Sequence, residues 1–309
     1  MEPRPAGKLV SLREAISRFV PDGATVVMGT CLESLIPFAA GHEIIRQRRR
    51  DLTLVGPISD VLFDQLIGAG CVARVVAAWV GNVSAGLGHA YRRATEHGIP
   101  RPVEVQDTSN FAVALALMAG ALGVPYLPTR SLLGSDVPRH AEAFRLSEDP
   151  WSGEPLLLVR AIQPDVAILA VQRSDPDGNA HLWGNLGVTE EAALASRHVV
   201  LLAEEVVDPA VIRSDPNRVL VPGFKVSAVV HCPGGCHPSP VPGYYRRDHA
   251  FYEEYHRATR TEEGFLEWLR TWVLEVPDRQ AYLERLGPRW EALRRLQPCL
   301  LYTSDAADE

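Results

Sequence analysis

Two cysteines and two histidines stand within seven residues, in the run HCPGGCH at residues 231–237. Thiolate and imidazole are the usual ligands of structural zinc, so the run is a candidate metal site. Its spacing argues against one, because the ligands form two adjacent pairs and the second half of a zinc knuckle is missing. We predict instead that Cys232 and Cys236 line a turn after a strand at Val226–Val230, and that the chain holds no metal.

The run GAGCVA at residues 68–73 satisfies the dinucleotide pattern G-x-G-x-x-G/A. That pattern binds a pyrophosphate only where it follows a strand and opens a helix. Here a helical pattern at Val61–Ile67 precedes the run, and a strand pattern at Val72–Val76 follows it. We therefore interpret Gly68 and Gly70 as the end of a helix and a turn.

Four arginines, Arg46, Arg48, Arg49 and Arg50, cluster at the end of a predicted helix. Cations at a helix C-terminus complement its dipole, so a solvated helix end explains them. Contact with a phosphate group is the alternative.

The segment DTSN at residues 107–110 precedes an apolar helix that begins at Phe111. These residue types are preferred helix caps, and capping alone explains them. A buried helix N-terminus also directs free backbone N–H groups at whatever lies in front of it, for example a carboxylate or a thioester oxygen. Ser109 and Asn110 are therefore candidate ligand contacts as well as caps.

Two further turns follow predicted strands, where open α/β sheets bind their ligands. Gly29-Thr30 follows the strand Thr25–Gly29, and Gly134-Ser135 follows a short strand at Tyr126–Leu127. The sequence shows no Ser-His-Asp pattern, G-x-S-x-G elbow or P-loop. The residues alone thus predict an α/β enzyme, or one component of an enzyme, with its site at the strand ends.

The elements that must position these residues alternate along the chain, which predicts a mostly parallel sheet flanked by helices. The predicted strands are Thr25–Gly29, Leu52–Gly56, Val72–Val76, Val103–Val105, Val166–Val171, Val199–Ala203 and Val226–Val230. The predicted helices are Leu12–Val20, Ile36–Arg50, Val61–Ile67, Phe111–Leu122 and Glu190–Ser196. The region Phe251–Leu296 adds outer helices. We expect one α/β domain over residues 1–298.

Composition excludes several classes of protein. The 309 residues carry 31 basic and 38 acidic side chains, a net charge of −7 that argues against nonspecific nucleic-acid binding. Five irregularly spaced cysteines form no disulfide framework, and Met1–Gly7 has no apolar signal segment, so we expect a cytoplasmic protein. The uncharged run Phe111–Leu127 falls short of the about 18–20 residues that cross a bilayer. We expect a buried helix followed by a short strand, not a membrane span.

The last eleven residues, CLLYTSDAADE at 299–309, resemble the translation of a transposon-type sequencing adapter. We expect them to be read-through from the sequencing library and not part of the native protein, and we exclude them from functional reasoning.

Ten stretches in a fixed order, from about Leu9 to Trp290, carry a family resemblance. They are DGATVVMG, DLTLVG, LIGAGCV, DTSN, ALGVPYLP, QRSDPDGNAHLWG, HVVLLAEEVV, RSDPNRVLVPG, CPGGCHP and TEEGFLEWLRTWV. Together they resemble the A (alpha) subunits of family I coenzyme A-transferases, of the glutaconate CoA-transferase type. The resemblance implies the NagB/RpiA/CoA-transferase fold, an α/β fold that agrees with the alternation.

The resemblance also implies a ping-pong exchange. In the family, the acyl-CoA thioester is attacked by a glutamate of the B (beta) subunit, and acyl-glutamyl anhydride and glutamyl-CoA intermediates follow. This chain would then contain no catalytic residue and would need a B subunit, in an A2B2-type assembly. Coenzyme A enters as a substrate, and no resident cofactor is expected. The residues expected to shape the acyl and CoA site are Gly29, Thr30, Ser109, Asn110, Gly134 and Ser135.

Two alternatives stay open. A second branch of the family consists of hydrolases that open steroid-derived rings with a glutamate of the A subunit. Asn110 stands at that position here, and an amide cannot act as base or nucleophile.

The acyl substrate of a transferase also stays open. Relatives more often have Gly-Gly-Phe where this chain has Gly29-Thr30-Cys31, so the acyl substrate can differ from glutaconate. The second alternative to a transferase is a non-catalytic module that binds a ligand. Sugar-phosphate-sensing regulators share the fold, which is why this alternative is considered. The first ten residues are too short for the DNA-binding segment that such a regulator needs.

Overall fold

The computed structural model describes residues 7–295, so the adapter-like tail at 299–309 lies outside the described residues. The strands are β1 Thr25–Val27, β2 Leu52–Val55, β3 Val72–Ala77, β4 Gly81–Asn82, β5 Gly86–Leu87, β6 Glu104–Asp107, β7 Tyr126–Thr129, β8 Phe144–Glu148, β9 Pro155–Arg160, β10 Val166–Ser174, β11 Ala180–His181, β12 His198–Val206 and β13 Ala228–His231. The helices are α1 Leu12–Phe19, α2 Phe38–Arg46, α3 Val61–Gly68, α4 His89–Arg92, α5 Asn110–Leu122, α6 Val137–His140, α7 Thr189–Ala195, α8 Pro209–Arg213, α9 His249–Ala258, α10 Glu262–Leu269, α11 Arg279–Leu286 and α12 Pro288–Arg294.

The central sheet is mostly parallel and has the order β13-β12-β10-β1-β2-β3-β6, with β11 antiparallel to β10. All seven strands predicted from the sequence are in it. Of the five predicted helices, α1 precedes β1 and the other four lie between strands along the chain. β10 and β12 are buried along most of their length, as apolar strands covered on both faces must be. The predicted fold class, a mostly parallel sheet flanked by helices, is confirmed.

β1 lies where the order of the strands reverses. From β1 the chain runs through β2, β3 and β6 on one side, and later through β10, β12 and β13 on the other. β1 also ends early, because its last residue Val27 pairs with Ala167 while β10 continues to Ser174. The loop after β1 therefore lies at the switch point on the carboxyl edge of the sheet, where open α/β sheets form the crevice that binds ligands.

A second sheet, which the sequence patterns did not predict as a unit, follows α5. It is antiparallel, with the order β7-β9-β8. One apolar cluster joins it to α5 through Ala112 and Ala116 of the helix and Phe144, Leu157 and Val159 of the strands. The small sheet is thus packed onto the helix whose start carries Ser109 and Asn110.

The prediction that α5 is buried is only half right. The helix and the short strand after it occur as predicted, and one helix face packs on α7 and the small sheet. The other face is uncovered, with exposed fractions of 55% for Phe111, 39% for Met118 and 64% for Leu122. The side chains of α5 are apolar all round the helix, so burial was expected, but the described residues cover only one side. No described helix is long and apolar enough to cross a membrane.

The C-terminal helices pack against one another through edge-to-face aromatic pairs. Phe251 contacts Trp272 at 4.9 Å between ring centroids, and Tyr255 contacts Trp268 at 4.8 Å. Such pairs add about 0.5–1.5 kcal/mol each beyond the area that they bury. The predicted outer helices are confirmed, and they close over α2 and α3.

Candidate functional site

Gly29 begins the loop at the carboxyl end of β1, and its backbone has φ +70°. A side chain there would collide with the loop after β2, because a Cβ would lie 2.2 Å from Ser59 Oγ. Ser59 in turn donates a hydrogen bond to the carbonyl of Met28 at 2.9 Å. Contact between the two loops at the carboxyl edge therefore explains this glycine, and a direct contact with substrate stays a prediction.

Thr30 is turned toward α7 and is only 3% exposed. Its hydroxyl lies 2.8 Å from Thr189 Oγ1, and its carbonyl accepts from the N–H of Val188 at 3.0 Å. Because Thr189 donates its own proton to the carbonyl of Leu186 at 2.6 Å, Thr30 is the donor to Thr189. The side chain that replaces the second glycine of relatives thus ties the crevice loop to the start of α7.

We predict that Thr30→Val lowers the free energy of unfolding by about 1 kcal/mol, the usual net value of one buried hydrogen bond. In the complex with the expected B subunit, KM for the expected acyl-CoA substrate should stay within about twofold of the wild-type value, because the hydroxyl faces Thr189. Urea denaturation and steady-state kinetics check the two halves, with the half-buried Thr108→Val as matched control. A KM raised more than about fivefold at unchanged stability would instead place Thr30 against the substrate.

Ser109 and Asn110 stand at the carboxyl end of β6, where α5 begins. The Ser109 hydroxyl caps the helix by accepting from the N–H of Ala112 at 3.1 Å. Asn110 is exposed, and its amide makes no side-chain hydrogen bond within residues 7–295. The N–H groups at the start of α5 and the Asn110 amide therefore face outward at the same edge as the crevice.

The two pairs of residues follow different strands of the same carboxyl edge, because β2 and β3 separate β1 from β6. α5 packs on α7, whose first residue Thr189 bonds to Thr30. The loop after β1 and the start of α5 are thus linked through α7.

The placement predicted for Gly134 and Ser135 at the end of a strand of the parallel sheet is wrong. The strand before them, β7, belongs to the small antiparallel sheet. Ser135 donates to the carbonyl of Leu132 at 2.9 Å within a tight turn, where Leu132 has φ +68°. A short strand alone does not reveal which sheet it joins. The turn lies on the side of α5 that packs on the small sheet, since Leu132 shares its apolar cluster.

A buried ionic group at the carboxyl edge was not predicted from the sequence. We call it the Arg247 cluster, and it contains Glu33, Asp60, Ser84, Arg247 and Tyr252. The Arg247 Nη2 atom donates to Asp60 Oδ2 at 2.6 Å and to Ser84 Oγ at 3.3 Å, and Nη1 lies 3.9 Å from Glu33 Oε2. The guanidinium carbon lies 3.8 Å from the centroid of the Tyr252 ring. Arg247 thus joins the loops after β1 and β2 to the β4–β5 hairpin.

Asp60 is the fully buried centre of this cluster and begins α3 in a strained conformation, φ +48°. Its Oδ1 atom accepts from the N–H groups of Val61 and Val83 at 3.1 and 3.2 Å. Burial raises the pKa of Asp60, and the Arg247 guanidinium only partly offsets this. Non-glycine residues are held in such conformations where surrounding contacts over-determine them, often at functional sites.

The HCPGGCH run forms a turn after β13, as its spacing indicated. Cys232 and Cys236 are buried in it, and His231 is exposed. Both ring nitrogens of His237 are occupied, one by Tyr282 Oη at 2.9 Å and one by Asp248 Oδ2 at 3.0 Å. Between residues 7 and 295, no group of three or more acidic, histidine or cysteine side chains is arranged to hold a metal ion.

The GAGCVA run is a helix-to-strand turn, also as predicted. α3 ends at Gly68, β3 begins at Val72, and Gly70 has φ +76°. Gly68 is required by packing, because a Cβ there would lie 2.4 Å from the Phe265 ring. The glycines thus shape the amino edge of the sheet, opposite the crevice.

Comparisons with known proteins agree with this geometry. The sequence profile of the family described as Coenzyme A transferase matches residues 9–232. The chain is 40% identical over 271 residues to the A subunit of 3-oxoadipate CoA-transferase from Pseudomonas knackmussii, covering 88% of this chain and 95% of that protein.

Two further relatives bear on the choice of activity. The chain is 30% identical to the A subunit of glutaconate CoA-transferase from Acidaminococcus fermentans. The crystal structure of that transferase superposes with a TM-score of 0.88 over 98% of this chain and 100% of that one. A cholesterol ring-cleaving hydrolase subunit from Mycobacterium tuberculosis is 27% identical, covering 91% of this chain and 98% of that one.

Proposed function

The chain belongs to the coenzyme A transferase family, and we propose that it is the A subunit of an enzyme that moves CoA from an acyl-CoA to a carboxylic acid. The observation that carries the proposal is the match to the A subunit of a CoA-transferase over 95% of that protein's length. The two transferase relatives are named for 3-oxoadipate and glutaconate, both dicarboxylic acids. This supports a dicarboxylate as one substrate.

The chemistry that we propose is a double displacement. A glutamate of the partner attacks the thioester carbonyl, the CoA thiolate leaves, and an acyl-glutamyl anhydride forms. The thiolate then attacks the glutamyl carbonyl and releases the first acid, which leaves a glutamyl-CoA thioester. An acceptor carboxylate reverses the two steps and departs as the new acyl-CoA. No oxidant, metal or resident cofactor is needed for this balance.

The contribution of this chain is to bind and orient the substrate at the carboxyl edge. A thioester oxygen carries partial negative charge, and a carboxylate carries a full negative charge. The N–H groups at the start of α5 and the exposed Asn110 amide are suited to bind either one, because such donors stabilise negative charge. The loop from Gly29 to Glu33 forms the other end of the crevice, held in place by Thr189 and Arg247.

A partner is part of the proposal, and we expect a B subunit in an A2B2-type assembly. Support comes from the uncovered face of α5, with Phe111, Met118 and Leu122 exposed in a stripe that starts beside Asn110. Apolar stripes of this kind mark contacts with another chain. The hydrolase alternative fits less well, because Asn110 offers no carboxylate.

The test is CoA exchange with and without the partner. We expect this chain alone, and the product of a neighbouring CoA-transferase B gene alone, to show no transfer from succinyl-CoA to a panel of dicarboxylates. The co-purified pair should show transfer with ping-pong kinetics, seen as parallel double-reciprocal lines. Transfer by this chain alone, or hydrolysis without transfer by the pair, would contradict the proposal.

A further inference from the structure

A second cavity lies at the amino edge of the sheet, opposite the crevice. Its volume is about 300 Å³, and it is bordered by the loops that lead from α2 into β2 and from α3 into β3. We call it the arginine pocket, because Arg48, Arg49 and Arg50 line it, over apolar side chains that include Ile45, Leu269 and Leu274. A volume of this size lies at the lower end of the range for small-molecule sites.

The charge of the arginine pocket is not balanced by its own residues. Among the described residues that line it, none is acidic. Two neighbouring acids are engaged elsewhere, since Asp51 pairs with Arg101 at 2.7 Å and Asp22 accepts from the backbone N–H of Arg50 at 2.9 Å. Arg48, Arg49 and Arg50 bring three positive charges to the lining of one small cavity, which favours an anion there.

The contacts of a solvated helix end, which the sequence pattern offered as the explanation of these arginines, account for only some of them. Arg46 pairs with Glu43 at 2.9 Å. Arg49 donates to Gln47 Oε1 at 3.1 Å and to the carbonyl of Ser17, in the last turn of α1, at 3.3 Å. Arg48 and Arg50 are exposed and make no side-chain hydrogen bond with any described residue. The Nε of Arg49 is buried and has no partner within residues 7–295. A buried donor without a protein acceptor is costly, and water or a bound anion can supply the acceptor.

We propose that the arginine pocket is a second binding site, for a phosphate monoester with a short apolar stem. The planar guanidinium groups suit the oxygens of a phosphate, whose charge of about −1.5 to −2 matches several arginines better than a single carboxylate does. Ile45, Leu269 and Leu274 provide the surface for the stem. The site lies at the opposite edge from the crevice, so it is independent of the proposed function.

A larger cavity elsewhere offers a weaker case. It measures about 1120 Å³ and lies between α1, α2 and the C-terminal helices. Three arginines line it, but so do four carboxylates, of which Glu43 already pairs with Arg46. This mixture favours no particular ligand charge.

Isothermal titration of the purified complex with hexyl phosphate tests the proposal, and needs no turnover. Wild type should bind hexyl phosphate at least about tenfold more tightly than inorganic phosphate, and binding should weaken as salt rises. The double variant Arg48→Ala/Arg50→Ala should lose at least about tenfold in affinity. The matched control Arg197→Ala/Arg257→Ala removes two exposed arginines elsewhere and should bind like wild type.

Three results would overturn the proposal. One is no binding of hexyl phosphate by wild type at millimolar concentration, and another is equal loss of affinity in the control variant. The third is tighter binding of hexanoate or of inorganic phosphate than of hexyl phosphate. Both substituted side chains in the test variant are exposed, so an unchanged melting temperature verifies that it remains folded.

Discussion

Arg247→Ala should lower the free energy of unfolding by about 3–5 kcal/mol, the usual cost of leaving a buried charge without its partner. Asp60 is fully buried, and the 2.6 Å bond from Arg247 is its one side-chain ion pair within residues 7–295. The loss also frees the loops after β1 and β2, so CoA transfer should fall as well. Urea denaturation at pH 7 measures the stability, with the exposed Arg257→Ala as the control, which should lie within about 0.5 kcal/mol of wild type.

A double-mutant cycle separates the ion pair from the other contacts of Arg247. Asp60→Asn keeps an oxygen that accepts from Val61 and Val83 but removes the charge. The double variant Asp60→Asn/Arg247→Ala should be more stable than the sum of the two single changes predicts, by at least about 1 kcal/mol. Coupling below about 0.5 kcal/mol would mean that stacking on Tyr252, and not the ion pair, holds the loops.

The second large effect is a loss of stability in acid, to which His237 contributes. Burial also lowers the pKa of His42 and His89, and these two histidines act in the same direction. Burial lowers the pKa of His237 to about 4, despite the hydrogen bond to Asp248 that favours its charged form. In the unfolded chain a histidine has a pKa of about 6.5. Between about pH 6.5 and 4 unfolding therefore takes up a proton, and stability falls as the pH is lowered. The full contribution of this residue is about 3 kcal/mol.

Other groups modify this slope in known directions. Burial works against the charged form of Asp248, but bonds from His237 and Arg289 outweigh it and lower the pKa to about 2, which adds further loss below about pH 4. Glu204 acts in the opposite sense, because burial raises its pKa to about 6. Between about pH 4.5 and 6, Glu204 therefore holds a proton in the folded chain but not in the unfolded chain. This difference stabilises the folded chain as the pH falls and offsets about 2 kcal/mol of the loss caused by His237.

The slope of stability against pH tests the role of His237. His237→Asn removes one titrating group, so the slope between about pH 6 and 5 should decrease by about 1.4 kcal/mol per pH unit. The exposed His97→Asn is the matched substitution control. Because the variant also loses hydrogen bonds, its stability is lower at every pH, and only an unchanged slope would contradict the role assigned to His237.

The parallel sheet could be predicted well from the sequence because its signals are local. Strands such as Val166–Val171 are continuous apolar runs, and the turn at Gly68–Gly70 is defined by the order of its own neighbours. The small sheet was missed because Phe144–Glu148 and Pro155–Arg160 mix exposed and buried residues at an edge, and their pairing depends on α5. The same distant packing decides that Gly134-Ser135 lies outside the parallel sheet.

The candidate site was predicted only in part, for a similar reason. Ser109 and Asn110 were found because caps have a local signature. The pairing of Asp60 with Arg247 joins residues 187 positions apart, and neither stands in a motif. Thr30 was recognised as a departure from its relatives, but its bond to Thr189 could not be foreseen, since no local pattern links β1 to α7.

The central claim is that this chain builds a substrate site whose nucleophile belongs to another chain. Intact-mass measurement of the co-purified pair after incubation with succinyl-CoA, under denaturing conditions, tests it most directly. We predict that the B subunit gains the mass of a thioester-linked CoA, minus one water, and that this chain stays unmodified. A CoA adduct on this chain, where Glu33 is an exposed carboxylate at the carboxyl edge, would contradict the claim.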